Sequence, residues 1–420
     1  MMKRFPLRGG NWNNGANAGL GYLNLNNSRA NSNSNIGFRP AFDYASSTSL
    51  KGLCPCTIEK DATTAAGAEI LNAPADASAT CLYEQIYQFD NLYRSAHQCR
   101  KGKTTAPATL RYFDHLEENL IQVHNELIWN MYTPRGRSQF YVFEPKRRLI
   151  HAPPYYDRVV QRAIYNIIEP LVNKTFIHDS YACRTGKGTH AGADRAQGFI
   201  RQVERSHGRA YAFKADISKY FSSINHGILK RLLRGVIPCP RVLNLLFLII
   251  DDSPTAEVGV SLGELLNQLN ANLYLHELDH FAKHHLKARL YTRYMDDFII
   301  IHHDKAQLQE WRKDIETFLA QHLELKTNSK TQVFPIGVRG GRSLDFLGYR
   351  IYSTHRLLRK CSVKRIKTKL KKYHRQYAVG EINLSDINPN IQSWLGHASH
   401  ADSYGLRKAL LEKPFRRSTP

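Results

Sequence analysis

The sequence has no apolar run of about 18 residues, the length a membrane-crossing helix needs. Its basic first residues are not followed by the apolar core of a signal peptide, so export is not expected. Cysteine is scarce. Seven residues at scattered spacings, an odd number, cannot build a disulfide framework and fit a reducing cytoplasm. Cys54-Pro55-Cys56 has no second pair at zinc-finger spacing, which argues against a zinc site there. Acids are also in short supply: 36 Asp and Glu face 59 Lys and Arg, for a net charge of +23 and an isoelectric point near 9.7. Such a balance points to a polyanionic partner, nucleic acid first. What is abundant is apolar material, 42% of 420 residues, enough for one large core or two to three subdomains.

Residues 1–50 differ in composition from the rest. Arg8-Gly9-Gly10-Asn11-Trp12-Asn13-Asn14-Gly15 is followed by Asn24, Asn26, Asn27, Asn31, Asn33 and Asn35. Glycine and asparagine at this density favour turns over helix, so a loosely ordered leader is expected. Residues 51–82, rich in Ala, Thr and Gly, read as a linker. From Tyr83 two helical patterns follow, the second marked by Leu110, Phe113, Leu116, Leu120, Val123 and Leu127 as core positions. Ser138–Ile150 alternates like a strand and turns basic at Lys146, Arg147 and Arg148. Beyond it, Arg184-Thr185-Gly186-Lys187-Gly188 precedes another helix; its backbone could cradle phosphate or form a solvated basic face.

Three later blocks carry the chemistry. Tyr211–Ala215 is a strand that delivers Asp216 to its end, before a helix opening near Asn225. Residues 259–285 read as one long helix, with Leu266, Leu269, Leu273 and Leu278 toward a core and Asn267, Gln268 and Asn272 on one face, where amides suit a base or sugar edge or simply meet water. Leu290–His302 places Asp296 and Asp297 between two short apolar runs, the pattern of a hairpin that pushes paired acids out of a sheet. Such acids require a compensating cation, and a divalent metal is the simplest candidate. Lys305–His322 reads as an amphipathic helix, and Leu344–Arg350 as a strand. Between Arg339 and Arg375 stand 13 Lys or Arg and one acid, Asp345. There Val363, Ile366, Leu370, Tyr373 and Tyr377 form a stripe, leaving Lys364, Arg365, Lys367, Lys369, Lys371 and Lys372 to lie along phosphates. Residues 393–411 read as a closing helical pair.

In order, the basic strand, Asp216 to Phe221, Gly259 to Gln268, Tyr294-Met295-Asp296-Asp297, Lys330 and Phe346-Leu347-Gly348-Tyr349 resemble the successive motifs of a reverse transcriptase, over residues 135–412. Within that class, Phe143-Glu144-Pro145-Lys146, Asp179–His190, Arg293–Phe298 and Trp394-Leu395-Gly396-His397 are most similar to the enzymes of diversity-generating retroelements. The leader's order, ending Ile36-Gly37-Phe38-Arg39-Pro40, resembles the C-terminal end of a C-type-lectin-like variable protein, as though a template repeat were translated in frame. Leu262-Gly263-Glu264-Leu265-Leu266-Asn267-Gln268 departs from the family's L-G-x-x-x-S-Q by placing Asn267 where serine is usual.

The resemblance implies an α+β right hand: fingers and palm over 83–350 and a basic helical thumb over 351–420. It implies two Mg²⁺ ions, with Mn²⁺ as a substitute, held about 3.5–4 Å apart. Asp216, Asp296 and the Ile217 carbonyl would be their ligands, with Asp297 secondary. Lys146, Arg148 and Arg184 would grip the triphosphate. Phe221 would exclude a 2′-hydroxyl, Gln268 would contact the nucleotide, and Lys330 would protonate pyrophosphate. Template RNA, primer, cDNA and dNTPs are the implied partners, with a small basic accessory variability protein, in a bacterial or phage setting. No RNase H-like, endonuclease or maturase domain is expected in the remaining length. Two alternatives stay open: a retron, group II-like or abortive-infection reverse transcriptase, and a catalytically silent RNA-binding relative.

Overall fold

The computed structural model describes residues 81–143, 147–253, 257–337 and 340–417, together with two short strands near the N-terminus. Those strands, β1 (Leu7–Arg8) and β2 (Leu23–Asn24), pair antiparallel within a separate unit, Met1–Ile58. The rest of the leader and nearly all of the expected linker lie outside the described residues.

Four helices open the second unit: α1 (Leu82–Tyr87), α2 (Phe89–Arg100), α3 (Pro107–Asp114) and α4 (Leu116–Ile128). The expected stripe from Leu110 to Leu127 is divided between α3 and α4, because His115 leaves helical geometry at φ −124°. That break turns Leu110 out to solvent, while Leu120, Val123 and Leu127 are buried. A hairpin follows, β3 (Ser138–Val142) paired antiparallel with β4 (Arg148–Ala152), and its first strand is exposed throughout. The long helix α5 (Tyr155–Thr175) then buries Val159, Val160, Ile164, Ile168 and Val172, spacings of one, four, four and four that keep one face inward.

Helix α6 (Thr189–His207) ends at Gly208, whose φ of +76° is the left-handed stop that glycine adopts without a Cβ penalty. The chain enters β5 (Ala210–Asp216), and a short 3₁₀ turn (Tyr220–Ser223) leads to α7 (His226–Val236). The helix opens near Asn225 as expected, and the Asn225 side chain caps it, accepting from the Ile228 N–H at 3.1 Å. Helix α8 (Pro240–Asp251) follows, and then the predicted long helix. It is not one helix but three pieces: α9 (Leu265–Tyr274), α10 (His276–His280) and a π turn at Phe281–His285. Gly259–Gly263 stands before it as loop, not helix.

Strands β6 (Tyr291–Tyr294) and β7 (Asp297–His302) form the predicted hairpin. Helix α11 (Lys305–His322) leads to β8 (Gln332–Ile336), which completes a four-stranded antiparallel sheet in the order β6-β7-β5-β8. Because β7 is interior to this sheet and covered on both faces, its residues 298–301 are all apolar and buried rather than alternating. One layer of core joins Ala212, Ile299 and Ile301 of the sheet to Ala196, Phe199 and Ile200 of α6. A second small sheet, β9 (Leu344–Phe346), β10 (Tyr349–Ile351) and β11 (Arg356–Leu358), shares that core. The chain closes with α12 (Lys360–Ala378), α13 (Leu384–Ala398) and α14 (Tyr404–Leu411). The class is α+β, with helices gathered around antiparallel sheets.

Candidate active site

Two strands bring the carboxylates together. β5 runs antiparallel to β7 with Asp216 directly opposite Asp297, so both side chains stand on the same face of the sheet. Asp296 sits in the tight turn between β6 and β7, where Met295 takes a left-handed φ of +55°. The Ile217 N–H donates to the Asp296 carbonyl at 3.3 Å, tying the turn to the end of β5. Around Ile217 the neighbouring backbone groups pair with residues 326–328. Among the described residues no hydrogen bond reaches the Ile217 carbonyl, which leaves its lone pairs open to a ligand.

The electrostatics of the three acids differ. Burial, and then the charge of Asp216, push the Asp296 carboxyl above the usual range, while Arg148 pulls it back. Arg148, at the start of β4, is therefore within electrostatic reach of the acids although its strand belongs to another sheet. Burial raises Asp297 to about 6, with Lys214 lowering it only in part across 3.5 Å. Its Oδ1 is buried and accepts no hydrogen bond, an orphaned acceptor that a cation would satisfy. Like charges packed this closely, one with a lone pair that no donor meets, fit a divalent ion.

Among the described residues no three His, Cys, Asp or Glu side chains are gathered tightly enough to hold a metal alone. Mg²⁺ characteristically takes one or two protein carboxylates and completes its shell with water and substrate phosphates. The residues present thus fit an ion that binds together with a triphosphate.

The remaining predicted residues are dispersed around this centre. Phe221 is half-buried, whereas its neighbour Tyr220 is sealed in the core with its hydroxyl on the Ala271 carbonyl. Gln268 is half-buried on α9, with the Cys183 thiol 3.5 Å from its Oε1. Lys330 is exposed just beyond the segment that pairs with Ile217. Lys364, Arg365, Lys367, Lys369, Lys371 and Lys372 are all exposed on α12, and Ile366 and Leu370 are buried as the stripe required. Lys146 lies outside the described residues.

Three expectations are corrected by packing. Arg184 is engaged by the protein itself: it donates to Asn173 Oδ1 at 2.6 Å and to the Ile177 and Ser180 carbonyls at 2.7 and 2.9 Å. Those bonds make it a brace for the loop before α6. Asn267 is buried and donates to the Ser261 carbonyl. Asn272, fully buried, donates to the Ala182 carbonyl and accepts from Arg293. Neither amide faces outward to meet a base.

The structure also brings in residues given no role from the sequence. Asn328 donates from its side chain to Asp216 Oδ2 at 2.8 Å, and its backbone N–H binds the Asp216 carbonyl at 2.8 Å. Lys214 lies two residues before Asp216 on the same face, which is how it reaches Asp297. Arg293, two residues before Met295, is fully buried and donates to the Met295 carbonyl at 3.0 Å. The alternation of β5 could have flagged Lys214. Asn328 and Arg293 have partners that no local pattern announces.

Residues 143–351 match the protein-family model described as reverse transcriptase (RNA-dependent DNA polymerase). The chain is similar to protein YkfC of Escherichia coli (strain K12), 26% identical over 281 residues, 57% of this chain and 71% of that protein. It is also similar to the group II intron-encoded protein LtrA of Lactococcus lactis subsp. cremoris, 25% identical over 212 residues, 48% of this chain and 33% of that one. Among solved structures, apo telomerase from Candida tropicalis aligns with a TM-score of 0.45 at 14% identity, covering 66% of this chain and 60% of that chain. The matched residues contain the carboxylate-bearing strands β5 and β7 and the β6–β7 turn. The chain belongs to the reverse transcriptase family.

Proposed function

We propose that this reverse transcriptase serves a diversity-generating retroelement, copying a template-repeat RNA into adenine-mutagenised cDNA for a variable gene, with nucleotidyl transfer at Asp216 and Asp296. The observation that supports the site is the juncture of β5 with the β6–β7 turn. Two half-buried acids, one at the end of β5 and one in the turn, are linked there by the Ile217 amide, and the charge of Asp216 disfavours that of Asp296. Asp216, Asp296 and the Ile217 carbonyl would hold Mg²⁺ or Mn²⁺, with Asp297 contributing less because Lys214 already attends it. When bound, such ions lower the pKa of the primer 3′-hydroxyl and neutralise the triphosphate.

The chain's own groups would do the rest. Asn328 fixes the Asp216 rotamer. Arg148, exposed beside the acids, would take the triphosphate, joined by Lys146. Phe221 would stand beneath the sugar, Gln268 would touch the nucleotide from α9, and Lys330 would give a proton to pyrophosphate. Along α12, Lys364, Arg365, Lys367, Lys371 and Lys372 would follow the duplex backbone. Lys369 does so less freely, since its Nζ donates to Asn390 Oδ1 on α13 at 2.8 Å.

The retroelement reading is supported by the leader's likeness to a variable-protein end and by the Arg293–Phe298 and Trp394–His397 motifs. It carries with it a small basic accessory protein as partner. Likeness to LtrA favours a second reading, an enzyme that copies an intron-type RNA. Primer extension on an RNA template with Mg²⁺ tests the site: Asp296→Ala should abolish extension, and activity that survives it would refute the assignment. Flanking DNA tests the purpose: a gene ending in a near-copy of the Arg8–Phe42 peptide, differing at adenine-containing codons, is expected, and its absence favours the second reading.

A further inference from the structure

We infer that the end of the palm sheet remote from the carboxylates carries a second RNA-binding site, a cationic and aromatic pocket for the RNA backbone. β7 begins at Asp297 and ends at His302, so the strand carries the chain about 17 Å from the acids before the pocket begins. The pocket, of about 310 Å³, is assembled from four separate parts of the chain. The last turn of α6 supplies His207, the segment before β6 supplies Lys287 and Arg289, the end of β7 supplies His302 and His303, and α11 supplies Trp311.

Its lining contains no Asp or Glu. Among the described residues neither Lys287 nor Arg289 takes part in an ion pair. Two imidazoles, His207 and His303, lie face to face at 3.8 Å with their planes 14° apart. His302 sits edge-on to Trp311 at 5.2 Å. Cations without counter-charges beside flat rings are what a nucleic-acid strand needs: phosphates for the former, base faces for the latter.

Exposure decides between a polynucleotide and a small anion. Lys287, Arg289, His207 and His303 are all exposed, so water and salt screen any single phosphate placed among them. A polynucleotide gathers several such weak contacts at once and releases counterions with each. An acidic peptide would meet the cations but leave the ring faces unused. Because the site is remote from Asp216 and Asp296, the RNA held there is not the segment being copied. It is a structured part of the template RNA, and this holds whichever class of reverse transcriptase the chain represents.

The full chain carrying Lys287→Gln with Arg289→Gln provides the test, with a fluorescein-labelled RNA hairpin bearing an oligoadenylate tail as the probe. Hairpin binding should weaken about tenfold or more at low salt, and the slope of log Kd against log salt should fall by about two, one per cation removed. Extension of a short pre-annealed primer–template should be unchanged, which also shows that the variant is folded. An unchanged salt slope overturns the inference, and loss of short-template extension overturns the separation from the active site. A second measurement reads Trp311 alone, with Trp12, Trp129 and Trp394 changed to Phe. The hairpin should quench it, with inorganic phosphate competing only weakly; saturable quenching by phosphate with no response to the hairpin would make this a small-anion site instead.

Discussion

Arg293 and Asp279 form a two-pronged ion pair, sealed from solvent, behind the turn that presents Asp296. Nε meets Oδ1 at 2.7 Å and Nη2 meets Oδ2 at 2.6 Å, with both side chains at 0% exposure. Tyr291 adds its hydroxyl to Asp279 at 2.6 Å. Burial disfavours charge on the guanidinium, but Asp279 more than reverses that effect, and Arg293 stays more firmly protonated than usual. Its remaining nitrogen holds the Met295 carbonyl at 3.0 Å, in the one residue of the turn with a left-handed backbone. A pair buried this deeply does little for net stability compared with apolar packing. Its geometry instead aims the turn.

Arg293→Lys therefore separates positioning from folding. A lysine keeps the charge for Asp279 but cannot reach both carboxylate oxygens and the Met295 carbonyl together. We expect kcat to fall about a hundredfold with little change in KM for dNTP, as a displacement of about 1 Å in a catalytic group does. Arg293→Ala, which strands a buried carboxylate, should cost about 3–5 kcal/mol of stability. Thermal unfolding and steady-state extension on one primer–template check both, and a lysine variant with normal kcat would refute the positioning role.

Asp297 gives the chain a pH signature. Burial holds its folded pKa at about 6, against about 3.9 for a free aspartate. Between those values the folded state keeps a proton that the unfolded chain has lost. This contribution to stability is complete below the lower value and disappears as pH rises through the upper one. Asp296 is shifted in the same direction. Without metal, Tm should decline as pH rises from about 4 to about 6, and Asp297→Asn should flatten that decline. Extension activity should move oppositely across the same window, because only ionised acids attract the cation. A Tm profile identical in the Asn variant would show that Asp297 does not titrate there.

Much of this site was legible because its signals are local. The β-favouring run Phe298-Ile299-Ile300-Ile301 fitted one arm of a buried hairpin, which put the acids before it at its mouth. Asp216 followed from a strand ending, and a helix was expected to open near Asn225, where the structure begins α7. The amides of α9 were misread because helical spacing reveals a face but not what covers it; Asn272 faces Ala182, 90 residues away in sequence. Asn328 is 112 residues from Asp216, and nothing between them signals the contact. The break at Leu275 was invisible as well, since no proline or glycine marks it.

Phe221 tests how the nucleotide is chosen. Its carbonyl accepts from the Val260 N–H at 2.8 Å, fixing the backbone of the 3₁₀ turn, while its ring stays half-exposed. Tyr220 takes the core position beside it, so the ring of Phe221 is not needed for packing to the same degree. Phe221→Val should raise ribonucleotide incorporation relative to deoxynucleotide by about tenfold or more, in the range of steric discrimination by a few methylenes. The ratio of kcat/KM for the two sugars measures it. An unchanged ratio would return Phe221 to the role of a packing aromatic.

Tyr349 joins the small sheet to the helix that ends the basic region. Its hydroxyl donates to the His397 carbonyl at 2.9 Å and lies 2.9 Å from His190 Nδ1 and 3.0 Å from His397 Nδ1. A phenol has one proton, so once it is given to the carbonyl, both imidazoles must donate to the phenol oxygen, which fixes each with its proton on Nδ1. Burial and neighbouring histidines keep both rings below the usual histidine range, as neutral donors require. Tyr349→Phe removes the shared acceptor and the donor together, leaving two N–H groups and a carbonyl to find new partners. We expect a loss of about 1–3 kcal/mol in stability. Since His397 lies on α13, which holds Lys369 of α12 through Asn390, the basic helix should also lose its fixed seat. Single-nucleotide addition should then proceed at the normal rate while products on a long RNA template become shorter. A variant with normal product length would show that α12 is held by its buried Ile366 and Leu370 alone.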